Sequence, residues 1–199
     1  MCGSLIDSVS SGTIIYGVGI ILILSGKPEY LWLGSLILII GTMQFVDALL
    51  WIMKQHNMST EFVSRYLIIL ILVLEPIVAY LGYVYFYKRR MPLFEVVLFI
   101  YTICSMYSWI TLCDDTTITQ DGYLKWCGIN ILFIIKVLFL LVLLFPILFF
   151  PNMLQKILCI TILSGTWLYN LNHEAFGSRW CYSVVVYSIM ALGVFLLYP

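Results

Sequence analysis

The sequence carries very little charge. Only 10% of its 199 residues are charged, and ten Lys and Arg balance ten Asp and Glu. Soluble domains carry about 25% charged residues, so this composition excludes an ordinary soluble domain. The lack of a basic excess also excludes a nucleic-acid-binding protein, because no net positive field is available to attract phosphates.

Motifs for metal binding and hydrolysis are also missing. The chain has two histidines, His56 and His173, and no CxxC pair. Zinc sites are built from clusters of such ligands, so no metal site is predicted. The hydrolase patterns GxSxG and HExxH do not occur. The sequence therefore predicts neither an enzyme nor a protein that carries a metal or another cofactor.

What the sequence has instead is apolar length. Hydrophobic residues make up 63% of the chain and aromatic residues 16%. A transmembrane helix needs about 20 mainly apolar residues, and these runs are apolar on every face, unlike the alternating strands of a barrel. We predict an all-α polytopic membrane protein, a bundle of seven transmembrane helices forming one domain in the lipid bilayer. The predicted spans cover residues 8–26, 30–53, 62–86, 92–113, 127–150, 153–171 and 177–198.

Basic residues in short loops predict the orientation of the chain. Lys88, Arg89 and Arg90 lie between the third and fourth spans, and such clusters favour the cytoplasmic side. Lys27 and Lys156 would share that side. The N-terminus is then exterior or lumenal and the C-terminus cytoplasmic. Glu95, about one turn inside the fourth span, is expected to reach back to the three cations.

Ionisable side chains within the predicted spans suggest a polar site. Gln44 and Asp47 share a helix face in the second span, and Glu75 lies mid-way along the third, directly before Pro76. Lys136 lies at a depth similar to that of Asp47. A charge near the bilayer centre costs several kcal/mol. Lys136 is therefore expected to pair with one of the two acids, which leaves the other neutral or solvated.

The end of the sixth span adds Asn170 and His173 at the exterior boundary. With Asp47 and Lys136, these residues are predicted to line an outward-facing polar vestibule. One interpretation is a channel or transporter for protons, ions or a small polar solute. The alternative is that the same groups form interhelical hydrogen bonds in a structural or scaffolding membrane protein, which acts through protein–protein contacts. The proposed intramembrane site comprises Gln44, Asp47, Glu75, Lys136, Asn170 and His173.

Cysteines and glycines leave further alternatives open. Cys113, Cys127 and Cys181 lie near predicted exterior helix ends, where an oxidising compartment permits a disulfide. Alternatively, each is a small buried residue. Small residues such as Gly19 and Gly34 permit close helix contacts, either within one chain or between partners. A homo-oligomer and a complex with other membrane proteins both agree with this pattern.

Two segments resemble a known group of proteins. These are the Met43–Trp51 stretch, followed downstream by Glu75-Pro76, and the late Gly177–Cys181 stretch. They are similar to an uncharacterised family of multi-pass membrane proteins of comparable length, found in large DNA viruses and some microbial eukaryotes. The family has Gln-Pro where this chain has Glu75-Pro76. The resemblance implies a viral source, and so a membrane of the virion or the infected host, and it assigns no catalytic residues.

Overall fold

A computed structural model describes residues 3–126, 133–170 and 176–197, with side chains at 3–126, 135–170 and 183–197. The described residues form seven α-helices and one short β-hairpin, which confirms the predicted all-α bundle. The helices are α1 (Leu5–Leu24), α2 (Pro28–Gln55), α3 (Ile68–Tyr87), α4 (Pro92–Leu112), α5 (Phe133–Ile147), α6 (Met153–Asn170) and α7 (Phe176–Leu197). A π-turn (Val63–Leu67) precedes α3, and β1 (Thr117–Ile118) pairs antiparallel with β2 (Leu124–Lys125).

Four of the described helical stretches are long and apolar enough to cross a membrane. They are α1, α2, α4 and the continuous stretch from the π-turn through α3. Shorter apolar stretches occur in α5 and α7, at Ile135–Ile147 and Ser183–Leu197. The chain therefore has the helices of a multi-pass integral membrane protein.

The helix ends follow from local sequence. The Ser4 hydroxyl caps α1 by accepting a hydrogen bond of 3.1 Å from the backbone N–H of Asp7. Pro28 and Pro92 begin α2 and α4, where the missing proline N–H leaves no helical bond unmade. Lys88 ends α3 in the left-handed conformation, with φ of 54°. Short connections between these caps produce antiparallel neighbours.

The fifth helix ends earlier than the predicted span. The sequence places its end at Phe150, whereas α5 ends at Ile147. The N–H groups of Phe149 and Phe150 close tight turns by donating to the carbonyls of Pro146 and Ile147. Pro151 disfavours helical geometry in the residue before it, so the chain turns here rather than continuing the helix.

The bundle has two chemically different ends. At one end the Tyr87 hydroxyl donates to the Phe149 carbonyl at 2.5 Å, which links the α3–α4 and α5–α6 connections. The Trp32 ring also packs on Phe86 and Phe150 there, with centroids 6.5 and 5.0 Å apart. We call this the basic end, and the opposite end, with the β1–β2 hairpin, the hairpin end. The connections of the basic end carry Lys27, Lys88, Arg89 and Arg90, and Lys156 lies in the first turn of α6.

The first two helices pack through glycine. A Cβ atom added at Gly34 would lie 2.7 Å from the Gly19 carbonyl oxygen, and one at Gly41 would lie 2.5 Å from Ile15. These three glycines therefore allow contact between α1 and α2 within one chain. Gly17 has no atom within 4 Å of such a Cβ and faces open space. The packed seam places the following residues of α2, including Gln44 and Asp47, in the interior.

Candidate functional site

Glu75 lies at the centre of the third helical span. It lies twelve positions after Val63 and twelve before Tyr87, which places it about 18 Å from either end at 1.5 Å per residue. Its side chain is 1% exposed. Among the described residues, its Oε2 atom has no hydrogen-bond partner and no cation forms an ion pair with it. A carboxyl group is thus held in the apolar interior of the bundle.

Pro76 follows this carboxyl without breaking the helix. The α3 helix is continuous from Ile68 to Tyr87, although proline favours a kink in the middle of a helix. Because proline has no N–H, the carbonyl of Leu72 lacks its usual helical donor at that position. Leu72 and Glu75 are three residues apart and share a helix face. The Glu75 carboxyl therefore lies beside a weakened turn of backbone.

One buried hydroxyl group on α4 lies within electrostatic range of Glu75. It belongs to Tyr101, and Ser105, four residues further along the same helix, is also buried. Sequence reasoning missed these residues. Their helical spacing could have identified them, because they lie on the same face of α4 as its buried apolar residues. That face consists of Phe94, Leu98, Tyr101, Ser105 and Trp109.

Asp47 is closed off at the hairpin end. Its side chain is 0% exposed, and its Oδ1 atom accepts a hydrogen bond of 2.7 Å from the indole Nε1 of Trp126, which is 7% exposed. Trp126 directly follows β2, so the hairpin positions the indole. Gln44, almost one turn away on α2, is also fully buried. The sequence predicts that Asp47 lines an outward-facing vestibule, whereas the side chains of Asp47 and Gln44 are both fully buried in the structure.

The loop that leads into the hairpin is fastened to the start of the third span. The Asp115 carboxylate accepts hydrogen bonds from the backbone N–H and the hydroxyl of Thr60, at 2.7 and 2.9 Å, and from Ser59 at 3.3 Å. The Thr116 N–H donates in turn to the Thr60 hydroxyl. The hydrogen bonds from Thr60 lower the pKa of Asp115. Asp115 therefore anchors the loop as a carboxylate at neutral pH.

The π-turn supplies a second fastening. Its Arg65 guanidinium donates to the Cys113 carbonyl at 2.7 and 3.0 Å, and its Ser64 carbonyl accepts from the Trp109 indole at 2.7 Å. A π-turn widens the helix, and such turns recur at sites where a side chain inserts. The end of α4 and the hairpin loop are thus held against α3.

Cys113 is disulfide-bonded. Its two candidate partners from the sequence, Cys127 and Cys181, lie outside the side chains that the structure describes, so the pairing stays a prediction. Cys104 and Cys159 are free thiols.

The remaining predicted site residues fall in different places. Lys136 is half-buried near the start of α5. It does not pair with Glu75, so its pairing with Asp47 stays a prediction. The Asn170 amide donates to the Thr166 carbonyl of its own helix at 2.8 Å. His173 lies outside the described residues. The structure therefore brings Gln44 and Asp47 together and places Glu75 deeper.

The basic end contains a third carboxylate. The Arg90 guanidinium donates to both oxygens of Glu95, at 2.7 and 2.8 Å, which confirms the expected contact between Glu95 and the loop cations. The Tyr80 hydroxyl, from α3, donates to the same carboxylate at 2.6 Å. Tyr80 lies five residues after Glu75 and connects the interior of α3 with the membrane boundary.

The described residues thus place three carboxyl groups at three depths of one bundle. Asp47 accepts a hydrogen bond from an indole, Glu75 is buried in the apolar interior, and Glu95 is paired with arginine. Such groups can exchange protons with neighbours or with entering water. No three metal-ligating side chains come together within the described part of the chain. No protein-family profile, characterised protein or solved structure matches this chain.

Proposed function

We propose that this membrane protein moves protons across the bilayer, alone or together with a small polar solute, and that Glu75 binds the moving proton. The observation that carries the proposal is the buried Oε2 atom of Glu75, which has no hydrogen-bond partner among the described residues. Polar groups that hold membrane helices together normally bond across the interface. Carboxyl groups inside a membrane are characteristic of proton relays.

The depths of the three acids support a stepwise route. Asp47 lies eight residues from the end of α2, about 12 Å from the hairpin end, and Glu75 lies about 18 Å from it. Tyr101 on α4 adds a buried hydroxyl group within electrostatic range of Glu75. Tyr80 and Glu95 continue towards the basic end. In this proposal a proton passes from Asp47 to Glu75 and leaves past Glu95.

The hairpin supplies the gate in this account. Because the Trp126 indole covers Asp47, entry from the hairpin end requires Trp126 to move away. The hydrogen bonds from Thr60 to Asp115 hold the base of the hairpin in place while the indole moves. The structure then corresponds to a state that is closed at the hairpin end.

Proton flux through reconstituted protein tests the proposal. Liposomes that contain a pH-sensitive dye and purified protein are given a potassium gradient with valinomycin, and the rate of internal pH change is recorded. Glu75→Gln keeps the shape of the side chain but cannot release a proton, so the rate should fall at least about tenfold, the effect of losing a proton-transfer group. Glu61→Gln is the matched control because Glu61 is an exposed acid outside the interior. Equal flux in folded wild type and Glu75→Gln would overturn the proposal.

A second candidate function is a structural membrane component. It is favoured by α4, which exposes large apolar side chains along most of its length, including Leu93, Phe99 and Tyr107. Such a face suits contact with another membrane protein as well as with lipid. The viral resemblance would place that partner in a virion or host membrane. Absence of flux from folded wild type, with one specific protein cross-linked at Phe99, would favour this candidate.

A further inference from the structure

A groove runs between α2 and α3 at the basic end. Its volume is about 330 Å³. Two of its wall residues, Leu81 and Tyr85, are 56% and 49% exposed, so the groove opens on the outer face of the bundle. The lining is apolar except for the Ser35 and Tyr85 hydroxyls and the buried indole N–H of Trp32. The lining residues are Leu31, Trp32, Ser35, Val78, Leu81, Gly82 and Tyr85.

Gly82 and Trp32 form the floor of this groove. A Cβ atom at Gly82 would lie 1.8 Å from Cδ1 of Trp32, so the indole rests directly on the glycine backbone. Phe86 and Phe150 pack against the same indole. The floor is therefore fixed by packing, and the groove is formed before any ligand arrives.

Positive charge flanks the mouth of the groove. The Lys88 ammonium lies 4.2 Å from the centroid of the Tyr85 ring, and Tyr85 lines the groove. Lys27 precedes α2 one turn from Leu31, and the N-terminus of α2 has no side-chain cap. The helix dipole adds to the positive potential there. Glu29 in the first turn of α2 offsets part of it, so Lys88 makes the larger contribution.

The groove and the lysine at its mouth together extend to about the depth of one leaflet. Ser35 lies seven residues into α2, about 10 Å from its start, and Val78 lies ten residues before Lys88, about 15 Å away. Half of the hydrocarbon thickness of a bilayer is about 15 Å. An acyl chain entering beside Lys88 would therefore lie in the groove along much of its length.

We infer that this groove binds one anionic phospholipid from the leaflet at the basic end, with an acyl chain between α2 and α3 and the phosphate beside Lys88 and Lys27. The apolar lining takes the chain, and the two lysines select the head group. A zwitterionic lipid would bring its own cation next to the Lys88 ammonium, which weakens its binding. The site lies outside the proton route and does not depend on it.

Thermal unfolding of delipidated protein in detergent tests this site. The midpoint is followed against the concentration of phosphatidylglycerol, of phosphatidylcholine with the same chains, and of glycerol phosphate as the head group alone. A ligand that binds only the folded state raises the midpoint with concentration. The concentration of phosphatidylglycerol that gives a set rise in the midpoint should be at least about fivefold lower than that of phosphatidylcholine. Glycerol phosphate should have no effect on the midpoint. Equal action of the two lipids, or a full effect of glycerol phosphate, would overturn the inference.

Two variants separate the head-group contact from the chain contact. Lys88→Gln should weaken the binding of phosphatidylglycerol about fivefold and should not weaken that of phosphatidylcholine, because the repulsion of the choline cation is also removed. Lys156→Gln, at the same end on α6, should change neither. Ser35→Phe fills the groove and should abolish the response to both lipids. Lys88 is exposed, so its variant folds even if Ser35→Phe does not. An unchanged response to phosphatidylglycerol in Lys88→Gln would overturn the inference.

Discussion

The indole N–H of Trp126 donates a hydrogen bond of 2.7 Å to the carboxylate of Asp47, across 79 residues of sequence. Both side chains are buried. The contact fastens the residue that follows β2 to α2 and occupies the Oδ1 atom of Asp47. In the proposed transport route, the same contact would control access to Asp47.

Loss of this hydrogen bond should loosen the gate. Trp126→Phe keeps an aromatic ring but removes the donor, so the buried carboxylate loses a partner and the free energy of unfolding should fall by about 1–3 kcal/mol. In the transport account the variant should also increase proton flux. Trp109→Phe is the control, because it removes an indole bond to the Ser64 carbonyl without contacting Asp47. Unfolding in mixed detergents measures the first effect and liposome flux the second. Equal flux changes in the two variants would contradict a gating role for Trp126.

Asp115 should make the stability of the hairpin end depend on pH. Hydrogen bonds from Thr60 lower its pKa, so the folded protein holds the carboxylate more readily than the unfolded chain does. This stabilisation is fully present above the unfolded value of about 3.9 and is lost as pH falls through the lower folded value. Asp115→Asn should flatten the acid limb of a stability–pH curve below about pH 4, whereas Asp114→Asn should leave that limb steep. Two identical limbs would show that the Thr60 contacts do not contribute.

Glu75 should lower the stability of the bundle. Replacing a buried, unpaired polar group with an apolar one of similar volume is neutral or stabilising. Glu75→Leu should therefore raise the free energy of unfolding by up to about 2 kcal/mol and abolish flux. Ser105→Ala, which replaces another buried polar side chain of the bundle, serves as a control for packing. A marked loss of stability in Glu75→Leu would mean that the carboxyl holds the helices together.

Gly82 should tolerate no side chain. Gly82→Ala places a Cβ atom against the Trp32 ring, and such overpacking destabilises by about 1–3 kcal/mol. Gly17→Ala, at a helical glycine with open space around it, should instead be neutral or stabilising by up to about 1 kcal/mol. Unfolding midpoints of the two variants, measured side by side, give the comparison. Equal midpoints would mean that Trp32 relaxes without loss of packing.

The helical spans were predictable because the bilayer imposes their length. Runs of about 20 apolar residues predicted α1, α2, α4 and the continuous third stretch with ends within three residues of those observed. The differences have local causes. Ser4 caps α1 at Leu5 and Pro28 starts α2, both earlier than hydropathy suggests, and the turn before Pro151 ends α5 at Ile147. Hydropathy shows where an apolar run ends, whereas the capping residues and prolines determine where the helix itself begins and ends.

The site was predictable only in part. The depth of Glu75 followed from its position in the middle of an apolar span, whereas Asp47 was expected to line a vestibule and is instead fully buried. The Trp126 partner of Asp47 did not, since it depends on a hairpin whose paired strands have only two residues each. The spacing of Tyr101 and Ser105 along α4 can be read from the sequence. That this face of α4 packs against α3 is a tertiary contact, which the spacing does not predict.

The most direct test of the central claim is to observe the proton on Glu75. Infrared difference spectra of reconstituted protein, recorded as external pH is stepped, resolve the carbonyl band of a protonated carboxyl group. The account predicts a band that changes with pH in wild type and in Glu61→Gln and is missing in Glu75→Gln. The account would be contradicted if the wild-type protein transports protons but shows no pH-dependent carbonyl band that disappears in Glu75→Gln.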